Sequence, residues 1–437
     1  MNTEDLFDFI ENSPTAYHAV EYMRRKLISA GYTQLLEGEE WKLESGQGYF
    51  VIRNGSALIA FKLPSAGSTA KGFQIMASHA DSPLLKIKDN PEIAAGGHYV
   101  RLNVEKYGGL ICAPWFDRPL SVAGRVIVKT ENGLETRLVD GKEPMVMIPN
   151  LAIHMNREIN DGYKYNVQRD MLPVYGAGSA AGSFMKRIAG LAGVSENDII
   201  GQDLYVYSCM KGYTWGADNE FMSIGRLDDL ECVYASMKAF LAAKTGESIP
   251  VHCVFDNEEV GSSTRQGAAS TFLLDTLMRI CDGLGFTPAA YRRMLAHSFM
   301  ISADNAHAVH PNYSDKACPT NRPYMNEGIV IKFSANQKYT TDGIAAALFK
   351  EICSRAGVPV QTFFNRSDMP GGSTLGNIAA NHVPLCTVDI GLPQLAMHSP
   401  METAGVKDVE YLIRAAVYFY ETSIVEDAYG SYTLRLR

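Results

Sequence analysis

No apolar stretch in this chain of 437 residues reaches the roughly 18 residues that a membrane span needs. The N-terminus, MNTEDLFDFIEN, carries acids where a secretory signal would carry bases. Both absences lead to the expectation of a cytoplasmic protein. Like charges never gather, since 40 Lys and Arg are dispersed among 48 Asp and Glu, giving a net charge of −8. With no basic run, neither nucleic acid nor an anionic membrane is expected as a main partner. The eight cysteines (Cys112, Cys209, Cys232, Cys253, Cys281, Cys318, Cys353 and Cys386) form no C-x-x-C pair. That disfavours a thiolate zinc site and leaves reduced thiols as the expected state. A metal in such a chain would be held by His and carboxylates. There is no internal repeat either.

What is present is a soluble globular composition long enough for two or three domains. Residues 13–31 open on Ser-Pro, place Ala16, Val20, Met23 and Leu27 on one stripe and stop at a glycine, which predicts an amphipathic helix. Two apolar runs within 48–62 flank Asn54-Gly55, a type I′ hairpin signal. Buried strands are then expected at 73–78, 250–255, 298–302, 328–334 and 384–389, and helices at 229–243, 270–284, 341–356 and 406–421. The alternation predicts an α/β fold, a central mixed sheet with helices on both faces. Residues 91–217 break the rhythm with strand-like runs such as GRVIVKT and few helical patterns. They read as a β-rich domain inserted into a discontinuous α/β domain made of 1–90 and 218–437. Within the insert, GAGSAAGS has the wrong glycine spacing for a dinucleotide fingerprint and reads as a flexible loop.

Potential metal donors collect just past the predicted strands. FQIMAS runs into His79-Ala80-Asp81, so the imidazole would emerge at a strand's carboxyl end, where open α/β sheets place ligands. Asp81 lies on the same side of an extended chain and is a candidate partner for the second ring nitrogen. PVHCVF ends in Asp256-Asn257-Glu258-Glu259, two adjacent carboxylates that a cation would relieve, one as ligand and one to handle protons. SFMIS leads to Asp304, and the 384–389 strand leads through LPQLA to His398. Asp228 opens the 229–243 helix. Each also has a structural reading: a capped turn for His79, a solvated acidic turn for the Glu pair, an N-cap for Asp228. Together, two His and three carboxylates suit a two-metal site in which one carboxylate bridges. His18 and His252 sit in helix and strand patterns and read as core or surface residues, His307 and His310 as structural neighbours of Asp304, and the aromatic group at 417–420 as helix packing.

SHADSP around His79, RLDDL around Asp228, DNEEVGSSTRQGA from Asp256, SADNAHAVHPNY from Ser302 and PQLAMHS before Pro400 together resemble the aspartyl aminopeptidase family. NLAIHMNR around His154 and SDMPGGSTLG from Ser367 extend the likeness over almost the whole chain in the expected order. The resemblance implies two Zn2+ per subunit, with cobalt or manganese as other divalent options. Asp228 would bridge them, His79 and Asp304 would complete one site, Glu259 and His398 the other, and Glu258 would be the base. It further implies that 91–217 is a dimerisation domain, that the homo-oligomer is a dodecamer built from dimers, and that His154 reaches into a neighbour's site. Metal-bound substrate would be attacked by an acidified water whose proton Glu258 carries to the leaving amine, with His154 at the oxyanion. The partners would be peptides with a free N-terminus, and Lys332, in the otherwise apolar GIVIKFS, would bind an acidic substrate side chain. Two other readings could use the same ligand set: a related two-zinc carboxypeptidase or deacylase, and a non-catalytic assembly protein that keeps the metals for structure. An unligated Glu258 argues against the second, because a purely structural site needs no base.

Overall fold

The computed structural model describes residues 3–67 and 70–436. A mixed sheet of nine strands forms the centre, in the spatial order 33–35, 48–53, 57–62, 248–255, 72–79, 299–303, 386–391, 329–333 and 360–364. Four neighbours in its middle, Ser248–Phe255, Gly72–His79, Phe299–Ala303 and Cys386–Gly391, run parallel. Their ends are level: Phe255 lies opposite His79, Ser302 opposite Ala77, and Ala303 opposite Ile390. Every residue of the first three is buried, as expected of parallel strands covered on both faces. Alternate side chains serve the two faces. Met76, Val254 and Ile301 pack with the helices Leu227–Ala242, Gly343–Ala356 and Asp408–Tyr420, while Ile75, Ala77 and Val251 pack with Phe272–Gly283.

The predicted helices and strands appear within a few residues of their expected limits, and the first helix, Ala16–Ser29, buries Ala16, Val20, Met23 and Leu27 as its stripe requires. Asn54 and Gly55 both have positive φ, 57° and 69°, in the turn that joins Gly48–Arg53 to Ala57–Lys62. The predicted helix at 229–243 begins at Leu227, so Asp228 is not its N-cap. Arg226 takes the capping position with φ 64°, and Asp228 and Asp229 have non-helical backbone inside the first turn.

A second, antiparallel sheet of six strands has its own core and the order 133–140, 120–130, 199–208, 84–95, 99–107 and 174–177. The strand Leu84–Ala95 runs across residue 91, so this sheet draws on residues from both sides of that position. GAGSAAGS is ordered where a flexible loop was expected. Gly176 and Ala177 pair with Val100 and Tyr99, and Gly178 comes closer to the Gly97 carbonyl than any Cβ would allow. Glu92 then accepts hydrogen bonds from the backbone N–H of Gly182 and Phe184 at 2.6 and 2.8 Å. A five-stranded sheet, ordered 213–215, 221–224, 402–405, 393–395 and 306–307, ties the approach to Arg226 to the segment that follows His398.

Candidate metal centre and active site

The level ends of the four parallel strands bring distant parts of the chain to one edge. His79 closes its strand, Glu258 and Glu259 follow Phe255, Asp304 follows Ala303, and His398 lies beyond Gly391. Ligand atoms within 4.8 Å of one another form three overlapping groups: His79 with Asp228 and Asp304, Asp228 with Glu259 and His398, and His79 with Glu258 and Glu259. Asp228 stands between the imidazoles. Its Oδ1 is 3.5 Å from His79 Nε2 and its Oδ2 is 3.3 Å from His398 Nε2, which is in turn 3.4 Å from Glu259 Oε2.

Each imidazole is oriented from behind by a carbonyl. His79 Nδ1 lies 3.0 Å from the Asp81 carbonyl and His398 Nδ1 lies 3.1 Å from the Gly109 carbonyl. A carbonyl only accepts, so Nδ1 carries the proton and the Nε2 lone pair faces the centre. The Asp81 carboxylate is 3.4 Å from the His79 ring, but its hydrogen bonds go elsewhere. Oδ1 accepts from Glu258 N at 3.1 Å, and Oδ2 accepts from Glu259 N at 3.2 Å and from Tyr107 Oη at 2.7 Å. Asp81 therefore fixes the turn that presents the two glutamates.

Sequence reasoning missed several further supports. Glu402 Oε1 accepts from His398 N at 2.6 Å and its Oε2 accepts from Asp228 N at 3.0 Å, tying two candidate ligands together. Asp229 Oδ2 accepts from His79 N at 3.1 Å, and Ser82 Oγ donates to the Asp228 carbonyl at 3.0 Å. Gly108, with φ 74°, has no room for a side chain without crowding Glu259, since a Cβ there would lie 3.1 Å from the Glu259 Cβ. The sequence signals were faint: a second acid beside Asp228, an acid four residues after His398, and the Gly-Gly of KYGGL. Three residues next to the chemistry, Arg226, Asn257 and His398, hold left-handed φ of 64°, 62° and 69°. Such conformations cost about 1–3 kcal/mol each for residues other than glycine, and the clamps by Asp81 and Glu402 hold two of them in place.

The electrostatics suit a site for cations. Asp228 Oδ1 and Glu259 Oε1 are buried without a hydrogen bond. Burial pushes Glu258 up to about 8, with Asp304, Asp81 and Asp228 adding to the rise and His79 opposing it. Burial and then Asp228 raise Glu402 to about 8. Burial would lower His398, yet its contacts with Asp228 outweigh that and lift it to about 9. Carboxylates this close share protons unless cations replace them, and divalent metal would satisfy the His and carboxylate donors seen here.

Lys332 is only 3 % exposed. Nζ donates to the Asn305 carbonyl at 3.1 Å and lies 3.8 Å from Asp304 Oδ1. His154 is not brought to the cluster within its own chain. It sits exposed on the short turn Ile153–Met155, flanked by exposed Leu151, Ile153 and Met155. His307 and His310 join none of the donor groups, and His252 is buried against Ser236 Oγ at 2.7 Å.

An α/β sheet whose parallel strand ends carry this donor set is the frame of a metal-dependent hydrolase. The family model for aminopeptidase I zinc metalloprotease (M18) matches residues 9–420. The chain belongs to the M18 family and is a zinc-dependent aminopeptidase. It is 48% identical over 421 residues to a probable M18 family aminopeptidase 2 of Clostridium acetobutylicum, covering 95% of this chain and 97% of that one. A probable aspartyl aminopeptidase of Ricinus communis is 38% identical, with 95% and 94% covered. The mApe1 dodecamer of S. cerevisiae superposes with a TM-score of 0.83 at 28% identity, over 95% of each chain.

Proposed function

We propose that this aminopeptidase removes N-terminal Asp or Glu in preference to other residues, at a centre of two zinc ions per subunit. His79, Asp228 and Asp304 would hold one ion, and Asp228, Glu259 and His398 the other. The observation that carries this reading is the position of Asp228, with one oxygen toward each imidazole at 3.5 and 3.3 Å. Bound there, zinc supplies a Lewis acid that polarises the scissile carbonyl and acidifies the attacking water. Glu258, held by Asp81 through its backbone N–H, takes the proton from that water and returns it to the leaving amine. Lys332 has three donor hydrogens, and contacts with Asn305 and Asp304 leave one for a substrate carboxylate. The name of the Ricinus relative supports the same preference.

The six-stranded sheet fits the role of an inserted dimerisation domain, placed by the sequence at 91–217. His154 and the apolar residues around it make an exposed patch of the kind that interfaces cover. His154 then serves a neighbouring subunit, where it hydrogen-bonds the oxyanion. The dodecamer of the yeast relative supports the same assembly. The eight free cysteines suit a cytoplasmic home, and among the described residues no helix is long and apolar enough to cross a membrane. The test is a panel of N-terminal aminoacyl, N-blocked and acyl-amino acid substrates against protein of assayed zinc content. Two zincs per subunit, with hydrolysis of free N-terminal Asp and Glu ahead of Leu and none of blocked peptides, is the expected result. One zinc, or equal rates for Asp and Leu, would overturn the corresponding part.

A further inference from the structure

A cavity of about 240 Å3 lies at the seam between the six-stranded sheet and the N-terminal helix Thr3–Glu11, away from the donor cluster. Arg226 forms part of its wall and is only 9 % exposed. Among the described residues the five N–H donors of its guanidinium make one hydrogen bond, from Nη2 to the Ile10 carbonyl at 3.1 Å, and Nε has no partner. Among the described residues no ion pair neutralises it. Beyond that hydrogen bond, compensation comes from the face of Tyr207, 5.4 Å from the guanidinium carbon, and from the fields of Asp140, Glu402 and Glu11, none of which forms an ion pair with it among the described residues. A buried cation so poorly matched is costly by itself and calls for an anion.

The rest of the wall narrows the chemistry. Lys142, Lys211 and Glu143 line the cavity, are exposed, and make no side-chain hydrogen bond or ion pair among the described residues. The other two acids are engaged: Asp140 accepts from Tyr207 Oη at 2.6 Å and from Lys142 N at 3.0 Å, and Glu11 accepts from Gly212 N at 3.1 Å. Unspent cations and one unspent carboxylate suit a ligand with a carboxylate and an ammonium on one small frame. The volume is below the roughly 300–1,000 Å3 of pockets for drug-sized ligands, which suits one amino acid rather than a peptide.

We propose that this cavity is a second site for a free amino acid, the product class of the reaction, with the ligand carboxylate on Arg226 and its ammonium toward Glu143. Arg226 is two residues from Asp228, so the site adjoins the segment that carries the central carboxylate.

The experiment is calorimetric titration of metal-loaded protein whose active site is saturated with a peptide hydroxamate too large for the cavity. The probes are L-leucine, L-leucinamide, acetate and inorganic phosphate. Expected is one L-leucine per subunit beyond the inhibitor, with L-leucinamide and acetate at least tenfold weaker. Lys211→Met and Glu143→Gln, at exposed positions outside the catalytic machinery, should each weaken L-leucine by fivefold or more without altering turnover of a reporter peptide. These variants avoid the buried Arg226, whose replacement risks the fold. Absence of L-leucine binding, or binding indifferent to both substitutions, overturns the site. Phosphate bound in place of L-leucine overturns the amino acid assignment in favour of a simple anion.

Discussion

Glu402→Gln is the most searching substitution for the idea that the donor set is held in place before metal arrives. The carboxylate uses separate oxygens for His398 N at 2.6 Å and Asp228 N at 3.0 Å. A glutamine of the same shape keeps one acceptor and turns an NH2 toward the other N–H. At pH 9, above the value near 8 that burial gives Glu402, one charge-assisted bond is lost, worth about 1.5–3 kcal/mol. Since about 1.4 kcal/mol is tenfold in affinity, zinc should bind roughly ten- to a hundred-fold more weakly. The fold should survive, because Glu402 touches the site through backbone groups and its strand pairing is unchanged. Competition with a chelating fluorophore measures the affinity, and circular dichroism of the metal-free variant checks the fold. Wild-type zinc affinity in a correctly folded variant would refute the clamp.

Lys332→Leu should lower the preference for Asp or Glu over Leu by more than tenfold, about 1.4 kcal/mol, in kcat/KM with metal content verified. An unchanged ratio removes Lys332 from specificity. His154→Ala and Glu258→Gln homo-oligomers should each lose roughly two to three orders of magnitude of activity. Mixed particles should regain activity wherever a Glu258→Gln subunit lends its His154 to a His154→Ala site, and no recovery in verified mixtures would confine His154 to its own chain. The metal-free protein should lose thermal stability as pH rises from about 5 to 8. Glu258 and Glu402, near 8, and Asp256, near 7, are raised mainly by burial, so the folded chain binds more protons than the unfolded one and unfolding becomes easier with rising pH. His398, raised to about 9, has the same sign, and saturating zinc should flatten the dependence. A melting temperature that climbs with pH after chelation would contradict it.

The sheet was legible because its central strands are buried on both faces and read as mostly apolar runs, FQIMAS, PVHCVF and SFMIS, each giving way within two residues to His79, Asp256 or Asp304. The donors were legible for the same reason, since a strand end is a sharp boundary in sequence. Glu402 and Asp229 were not, because they act by gripping backbone N–H groups and carry no periodicity or spacing of their own. Asp81 was singled out as the orienting partner of the His79 ring. The shorter contact of that ring is with the Asp81 carbonyl, a group every residue possesses and no sequence pattern marks. GAGSAAGS misled because small residues suit close backbone approach as well as flexibility.

His79 and His398 flank the same carboxylate although 319 positions, 398 − 79, separate them along the chain. Synthesis proceeds from the N-terminus at roughly 5–20 residues per second, so tens of seconds pass between the first imidazole and the last. For the last 170 of those positions, 398 − 228, a ribosome-bound chain has Asp228 and lacks the second of the two histidines that flank it. A peptidase loose among growing polypeptides would be a hazard, and here the order of translation itself withholds the activity until nearly all of the fold has emerged.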